Sequence, residues 1–307
     1  MSVDAVCVAG LTASGKTEFA RALGRRHGRA TVINADAMQV YRGLRRVTDQ
    51  PDDDGDPPHR LYGHVSVDTR YSVSRWLEDA RTEIGRCRGE GRLPIFCGGT
   101  GLYFRSLVRG LDRVPAIDAS VRAGLEARMD EIGVREFYRE LEAMDAGEAR
   151  RVGEFNRHRL LRAREVLEFT GHPLPYWWGS GGGGLLTGEV FWVIFLPTLA
   201  EVGDVIAARA RGLVGGEALE EVRRLGDCGD VAPSVWKVIG VREIRGFLDG
   251  ELDSEEAVRR VVSRTRGYAR RQGTWFRNNS GATGRVIVVE GRVDGVDIDA
   301  VAAKLNN

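Results

Sequence analysis

Apolar and polar residues follow two different periods along this chain, and the points where the period changes mark its elements. Ala5-Val6-Cys7-Val8-Ala9 is an unbroken apolar run that stops at a glycine, the pattern of a strand buried on both faces. Lys16 to His27 predicts a helix, and Ala30-Thr31-Val32-Ile33 a second strand. Strand, helix and strand in such close succession form a βαβ unit, which implies a parallel sheet. Ser72 to Arg88 sets Val73, Trp76, Leu77, Ala80 and Ile84 on one helical face. Leu93–Cys97 reads as another buried strand, closed by Gly98-Gly99-Thr100-Gly101. Gln50–Pro58 is rich in acids and proline and reads as a surface loop.

The pattern changes after about Pro115. Arg122–Met129, Val134–Met144 and His158–Thr170 are helical in period with no convincing strand between them. Gly179–Gly184 follows, with the composition of a flexible linker. A strand pattern resumes at Val190–Leu196, and the chain is mostly helical from Val205. A long helix is expected to begin near Asp253-Ser254-Glu255-Glu256, whose cap and acids suit a positive helix end. Val286–Glu290 and Ile298–Leu305 read as a last strand and helix. The expected architecture is α/β: a P-loop NTPase-like parallel sheet flanked by helices, with a helical insertion domain. Residues 1–114 and 188–307 are assigned to the core, and 115–187 to the insertion.

Composition narrows the class. Among 307 residues, 42% are apolar and 29% charged, which excludes disorder for the bulk of the chain. A net charge of +1 gives no sign of a polyanionic partner, yet only three of the 45 basic residues are lysines. A GC-rich genome yields such a skew, and so does a need for guanidinium forks on phosphates and bases; the distribution of the arginines has to separate the two. Cys7, Cys87, Cys97 and Cys228 form no CxxC pair, and His27, His59, His64, His158 and His172 have no metal-ligand spacing, so zinc chemistry has no support. The longest apolar run, Val190–Pro197, is too short for a membrane span. With no leader ahead of the first strand pattern, a cytoplasmic chain with reduced thiols is expected.

Gly10-Leu11-Thr12-Ala13-Ser14-Gly15-Lys16-Thr17 fits GxxxxGK[ST], after a strand and before a helix. Its backbone amides, the helix N-terminus and the Lys16 charge suit a di- or triphosphate, and the Thr17 hydroxyl suits Mg²⁺, directly or through water. Phosphoryl transfer would normally add an apolar strand ending in Asp to hold the metal. The natural candidate strand ends instead in Cys97-Gly98-Gly99. Asp36 follows the second strand and should face the same crevice as the loop. Two roles fit a carboxylate there: a base acting on a second substrate, or a cap on the strand–helix turn.

In order along the chain, Gly10–Thr17, Ala35–Gly43, Gly98-Gly99-Thr100-Gly101-Leu102-Tyr103, Arg159–Arg162, Gly240-Val241-Arg242-Glu243 and Thr265–Arg277 match blocks of a known family. On these blocks the chain resembles the tRNA dimethylallyltransferases, which prenylate an adenosine in the anticodon loop. The resemblance implies that Gly10, Leu11, Thr12, Ala13, Ser14, Gly15, Lys16 and Thr17 hold the diphosphate of dimethylallyl diphosphate. It makes Asp36 the base that takes a proton from the exocyclic amine of adenine. Mg²⁺ on Thr17, together with Lys16 and Arg242, would stabilise the departing diphosphate, with Thr17 and Arg242 counted as catalytic alongside Asp36. Positions matched to tRNA contacts are Asp36, Ala37, Met38, Gln39, Thr100, Arg122, His158, Arg159, Leu160, Leu161 and Arg162. The implied partner is a tRNA anticodon stem-loop, the implied enzyme a monomer. Departures from the pattern include Leu11 for proline, Ala37 for serine, Gln50 for lysine and Arg157-His158 for Pro-Gln.

Between Arg259 and Arg277 lie seven arginines and no acid, with Tyr268, Trp275 and Phe276 among them. On a helix Arg259, Arg266 and Arg270 share a face. Arginine planes and aromatic rings together suit single-stranded RNA, and Arg266 and Arg270 are assigned to it. An adenylate isopentenyltransferase or a P-loop small-molecule kinase would share the loop. The insertion and the basic helix favour a macromolecular acceptor. A non-catalytic RNA-binding adaptor leaves Lys16, Thr17 and Asp36 unexplained.

Overall fold

Apolar runs without polar interruption become the interior strands of one sheet in the computed structural model, which describes residues 3–52, 55–279 and 284–305. The strands are β1 (Ala5–Gly10), β2 (Ala30–Asn34), β3 (His59–Arg60), β4 (Leu93–Gly98), β5 (Val190–Phe195) and β6 (Arg285–Val289). Their order is β3-β2-β4-β1-β5-β6, with every pairing parallel among the described residues. Cys7 stands level with Phe96 on β4 and with Trp192 on β5. The two-residue β3 has no counterpart in the sequence pattern, because a strand so short carries no period.

Both faces of the sheet are covered, which is why its strands lack alternation in polarity. Ala5, Cys7, Ala9, Trp192 and Ile194 face one apolar layer. That layer is completed by α3 (Val73–Glu90), α4 (Gly101–Arg109) and the C-terminal half of α11 (Ser254–Asn279). Val6, Val8, Phe191, Val193 and Phe195 face the other, closed by α1 (Lys16–His27) and α12 (Ile298–Leu305). Ser72 caps α3 by accepting from the Arg75 amide at 3.4 Å, and the Trp76 indole behind it donates to the Asn34 carbonyl at 2.9 Å. The helices that follow the neighbouring strands β1 and β4 lie on opposite faces of the sheet, α1 on one and α4 on the other. A crevice therefore opens at the carboxyl ends of these two strands.

A third apolar layer borders that crevice. The stretch from Val40 through α2 (Arg45–Thr48) packs with α8 (Gly203–Gly215), α9 (Glu217–Asp227), α10 (Val241–Leu248) and Val261 of α11.

The chain divides into two compact units, residues 1–109 with 184–307, and residues 110–183. The second starts and ends a few residues earlier than the helical period suggests. It is built from α5 (Ala119–Met144), α6 (Ala146–Val152) and α7 (Arg157–Thr170) around Leu125, Met129, Phe137, Leu141, Leu160 and Leu161. Gly133, at φ 81° and ψ 161°, breaks α5 into the two helical segments expected from the sequence. Gly179–Gly184, expected to be a flexible linker, is held against neighbouring backbone at two points, Gly181 and Gly184. A Cβ on Gly181 would lie 2.2 Å from the Leu111 carbonyl oxygen, and one on Gly184 2.1 Å from that of Val108. Those glycines are there because backbone meets backbone. No described helix is long and apolar enough to cross a membrane.

Candidate active site

The phosphate loop leaves β1 at Gly10, whose φ is 135° and where a Cβ would stand 2.1 Å from the Phe195 carbonyl oxygen. Ala13 (φ 62°) and Gly15 (φ 88°) are both left-handed, the kind of turn in which successive amides form an anion-binding concavity. Lys16 opens α1, is buried, and donates from Nζ to the Leu11 carbonyl. Burial lowers its pKa, against the opposing pull of Cys97 and Asp36.

Asp36 is held by its own neighbourhood. Its amide donates to Asn34 Oδ1 at 2.8 Å, while Asn34 Nδ2 donates to the Asp36 carbonyl at 2.9 Å and to that of Leu61 at 3.0 Å. Its carboxylate Oδ1 accepts from the Met38 amide at 2.9 Å. The residue thus caps its turn and also lines the cavity. Burial raises its pKa, partly offset by the Met38 amide, Lys16 and Arg209. Ala37 donates from its amide to Thr100 Oγ1 at 2.9 Å, which ties the loop after β2 to the start of α4. Gln39 donates from Nε2 to the Thr48 and Asp49 carbonyls at 3.0 and 2.8 Å, fixing one wall.

These residues surround a cavity of about 240 Å³ lined by both polar and apolar groups. Thr12, Ala13, Gly15, Lys16, Thr17, Asp36 and Arg209 supply polar lining; Val47, Ile206, Leu213, Val238, Ile239 and Val261 supply apolar lining, most of it from the third apolar layer. Met38, Gln39, Thr265 and Tyr268 also line it. The arginine here is Arg209, not Arg242. Arg242 is exposed on the first turn of α10, because Val241, Glu243 and Ile244 take the inward face of that helix. Arg209 donates from Nη2 to the Val47 carbonyl at 3.0 Å and lies 3.6 Å from Asp49. A signal for it exists in the sequence: it interrupts the stripe Ile206, Ala210, Leu213, at i+3 from Ile206.

No carboxylate stands at the end of β4. Cys97 occupies that place, its thiol pushed up to about 11 by burial and lying against the Thr17 hydroxyl. Above it Gln272 of α11 joins two loops, accepting from the Thr12 amide at 2.8 Å and donating to the Gly99 carbonyl at 3.0 Å. Gln272→Ala leaves both backbone groups without that partner, at an expected cost of about 1–3 kcal/mol. Urea unfolding measures it, and an unchanged midpoint would contradict the bridge.

The basic run on α11 is less free than its composition suggests. Arg259 pairs with Glu255 and Glu256, Arg260 with Glu256, and Arg264 with Glu243 at 2.5 Å. Arg259 therefore does not join Arg266 and Arg270 as an open cationic row. Arg266, Arg270, Arg271 and Arg277 are exposed, with no carboxylate partner among the described residues. Arg271 lies over the Tyr268 ring, 5.9 Å from its centroid.

Within the insertion, Leu160 and Leu161 are core residues, so their side chains are not available to a ligand as the family match implied. Arg122 is engaged by Glu126 at 3.0 Å and Glu165 at 3.5 Å, and Arg162 by Glu165 at 2.9 Å. His158 and Arg159 are exposed on the first turn of α7, after the Asn156 cap.

A family model described as IPP transferase matches residues 39–279. The chain belongs to the IPP transferase family. It is 40% identical over 281 residues to the tRNA dimethylallyltransferase of Sinorhizobium medicae (strain WSM419), covering 90% of this chain and 92% of that one. It is 41% identical over 278 residues to the protein of that name from Bradyrhizobium sp. (strain ORS 278), covering 89% and 90%. The crystal structure of the full-length tRNA isopentenylpyrophosphate transferase from Bacillus halodurans has a TM-score of 0.66 at 28% identity, covering 98% of this chain and 94% of that one. A eukaryotic dimethylallyltransferase acting on tRNA shares the fold, with a TM-score of 0.75 at 22% identity over 93% of this chain and 74% of that one.

The donor set suits a hard cation that arrives with phosphate. The Thr17 hydroxyl and the Asp49 carboxylate are oxygen donors around one cavity. Among the described residues no group of three or more His, Cys, Asp or Glu could hold an ion unaided. Mg²⁺ commonly takes one or two protein oxygens, keeps waters and fills its shell from a substrate's phosphates.

Proposed function

We propose that this chain transfers a dimethylallyl group from dimethylallyl diphosphate to the exocyclic amine of the adenosine 3′ of the anticodon in tRNA, releasing diphosphate. The observation that carries the reading is the mixed lining of one cavity: a phosphate loop with Lys16, the side chains of Arg209 and Asp36, and an apolar wall from the third layer. An allylic diphosphate calls for both kinds of lining, with an anionic head and a branched C5 chain.

The adenine nitrogen attacks the primary allylic carbon, and the carbon–oxygen bond breaks with its electron pair leaving on the diphosphate. Asp36 takes the proton lost by the nitrogen. An amine conjugated to a purine is a weak nucleophile, so a positioned base helps at one end of the reaction. Lys16, Arg209 and the loop amides take up charge at the other. Thr17, with Asp49 nearby, would hold Mg²⁺, which when bound supplies further neutralisation of the diphosphate. The base has to leave the anticodon-loop stack to reach a carboxylate set in this crevice. Arg266, Arg270 and Arg277 offer phosphate contacts on exposed α11, and His158 and Arg159 offer polar contacts from the insertion. Since the phosphate is discarded and not transferred, the position of Cys97 needs no carboxylate.

The assay incubates the protein with labelled dimethylallyl diphosphate, Mg²⁺ and unmodified tRNA, with AMP and ATP as competing substrates. Label is expected in tRNA. Label in AMP, or consumption of ATP alone, overturns the reading in favour of an adenylate isopentenyltransferase or a kinase.

A further inference from the structure

A phosphate-binding loop turns its amides one way, so its carbonyls turn the other and need donors behind it. Here the donors come from the far end of the chain, in the turn Val293–Gly295 and the Arg292 that precedes it, between β6 and α12. The Arg292 guanidinium donates from Nη1 to the Ala13 carbonyl at 2.9 Å, and the Val293 amide donates to the Ser14 carbonyl at 3.1 Å. Asp294 Oδ2 accepts from Arg292 Nε at 3.2 Å and holds the guanidinium in place. The Val293 side chain fills the space beside Gly15: a Cβ there would lie 2.2 Å from Val293 Cγ1.

The residues braced are the ones whose conformation is least favourable. Ala13 carries a Cβ at φ 62°, a left-handed geometry that an alanine leaves unless its surroundings hold it. The brace is itself anchored at both ends. β6 pairs with β5 from Phe191 to Phe195, and α12 packs against α1, the helix the loop opens. All of this lies beyond residue 279, where the family match ends.

We propose that Arg292 and Val293 are positioning residues for the diphosphate loop, holding Ala13, Ser14 and Gly15 in the anion-binding conformation before substrate arrives. The inference rests on the reading of that loop as the diphosphate site. Preorganisation of this kind strengthens binding of the diphosphate and leaves the tRNA contacts untouched.

The test uses the full-length protein and its Arg292→Ala, Arg292→Lys and Val293→Ala variants. Pyrophosphate affinity is measured by titration calorimetry, and KM is measured separately for dimethylallyl diphosphate and for tRNA. Arg292→Ala is expected to weaken pyrophosphate binding about tenfold, the scale of one charged hydrogen bond. KM for dimethylallyl diphosphate should rise by a similar factor, with KM for tRNA nearly unchanged. Arg292→Lys keeps one donor for the Ala13 carbonyl and regains part of the loss; Val293→Ala shifts the same two quantities in the same direction. Equal pyrophosphate affinity in wild type and Arg292→Ala overturns the brace. So does a rise in both KM values together with a lowered melting temperature, which marks general loosening. A wild-type protein that fails to bind pyrophosphate sinks the diphosphate reading itself, and the brace with it.

Discussion

Asp36→Asn lowers prenyl transfer by about 10²-fold or more, the usual worth of a general base, while pyrophosphate affinity stays level or tightens. The asparagine keeps the shape of the side chain and one acceptor for the Met38 amide, so the turn survives and only the proton acceptor is lost. Removing a negative charge from beside an anion can only relieve repulsion. The pH profile gives an independent reading. Burial raises the Asp36 pKa above the ordinary carboxylate value, and the residue accepts a proton only when ionised. The rate should climb with pH through that raised value and then level off, and the asparagine variant should lose this acid limb.

Stability moves the opposite way. A carboxyl whose folded pKa is raised favours the folded state below its unfolded pKa, and that contribution is lost as pH rises through the folded value. Asparagine should therefore raise the melting temperature more at pH 8 than at pH 4. A variant that keeps full rate, or a melting difference that grows on acidification, would overturn the assignment of Asp36 as the base.

The parts of this site that are local in the chain were legible before any coordinates. A phosphate loop is one strand end, eight residues and one helix start, so its motif carries its geometry. Asp36 follows from the same logic, since the end of a parallel strand must face the crevice. What the sequence hides is produced by packing between distant segments. The α11 run contains no acid, but Glu255 and Glu256 stand one turn before it and Glu243 reaches it from α10. Three of its seven arginines are thereby tied to carboxylates. The Gly179–Gly184 run has the composition of a flexible tether, yet Gly184 and Gly181 meet the backbone of Val108 and Leu111 at distances no Cβ permits. Leu160 and Leu161 match a family block, but helical period alone turns them inward. Composition speaks of what a segment is made of, and contact distance decides what it does.

Arg209 is the sharpest instance, and it carries the other large expected effect. Arg209→Ala should reduce kcat/KM with dimethylallyl diphosphate by about 10²-fold, the scale of one charge-stabilising donor in a water-poor site. The matched Arg242→Ala, placed on the exposed side of α10, should leave pyrophosphate affinity unchanged. Both arginines lie among apolar residues in the sequence, and the family block around Gly240-Val241-Arg242-Glu243 draws attention to the wrong one for this role. The difference is one of helix phase. On α8, Arg209 shares the face of Ile206, Ala210 and Leu213, which the third apolar layer turns towards the cavity, and its Nη2 is steadied by the Val47 carbonyl. On α10, the inward positions are taken by Val241, Glu243 and Ile244. Arg209→Lys should recover only part of the activity, because an ammonium cannot hold the Val47 carbonyl and a phosphate oxygen in one planar fork. Pyrophosphate titration of the three variants separates the positions: a large loss for Arg242→Ala with none for Arg209→Ala would return the leaving-group role to α10.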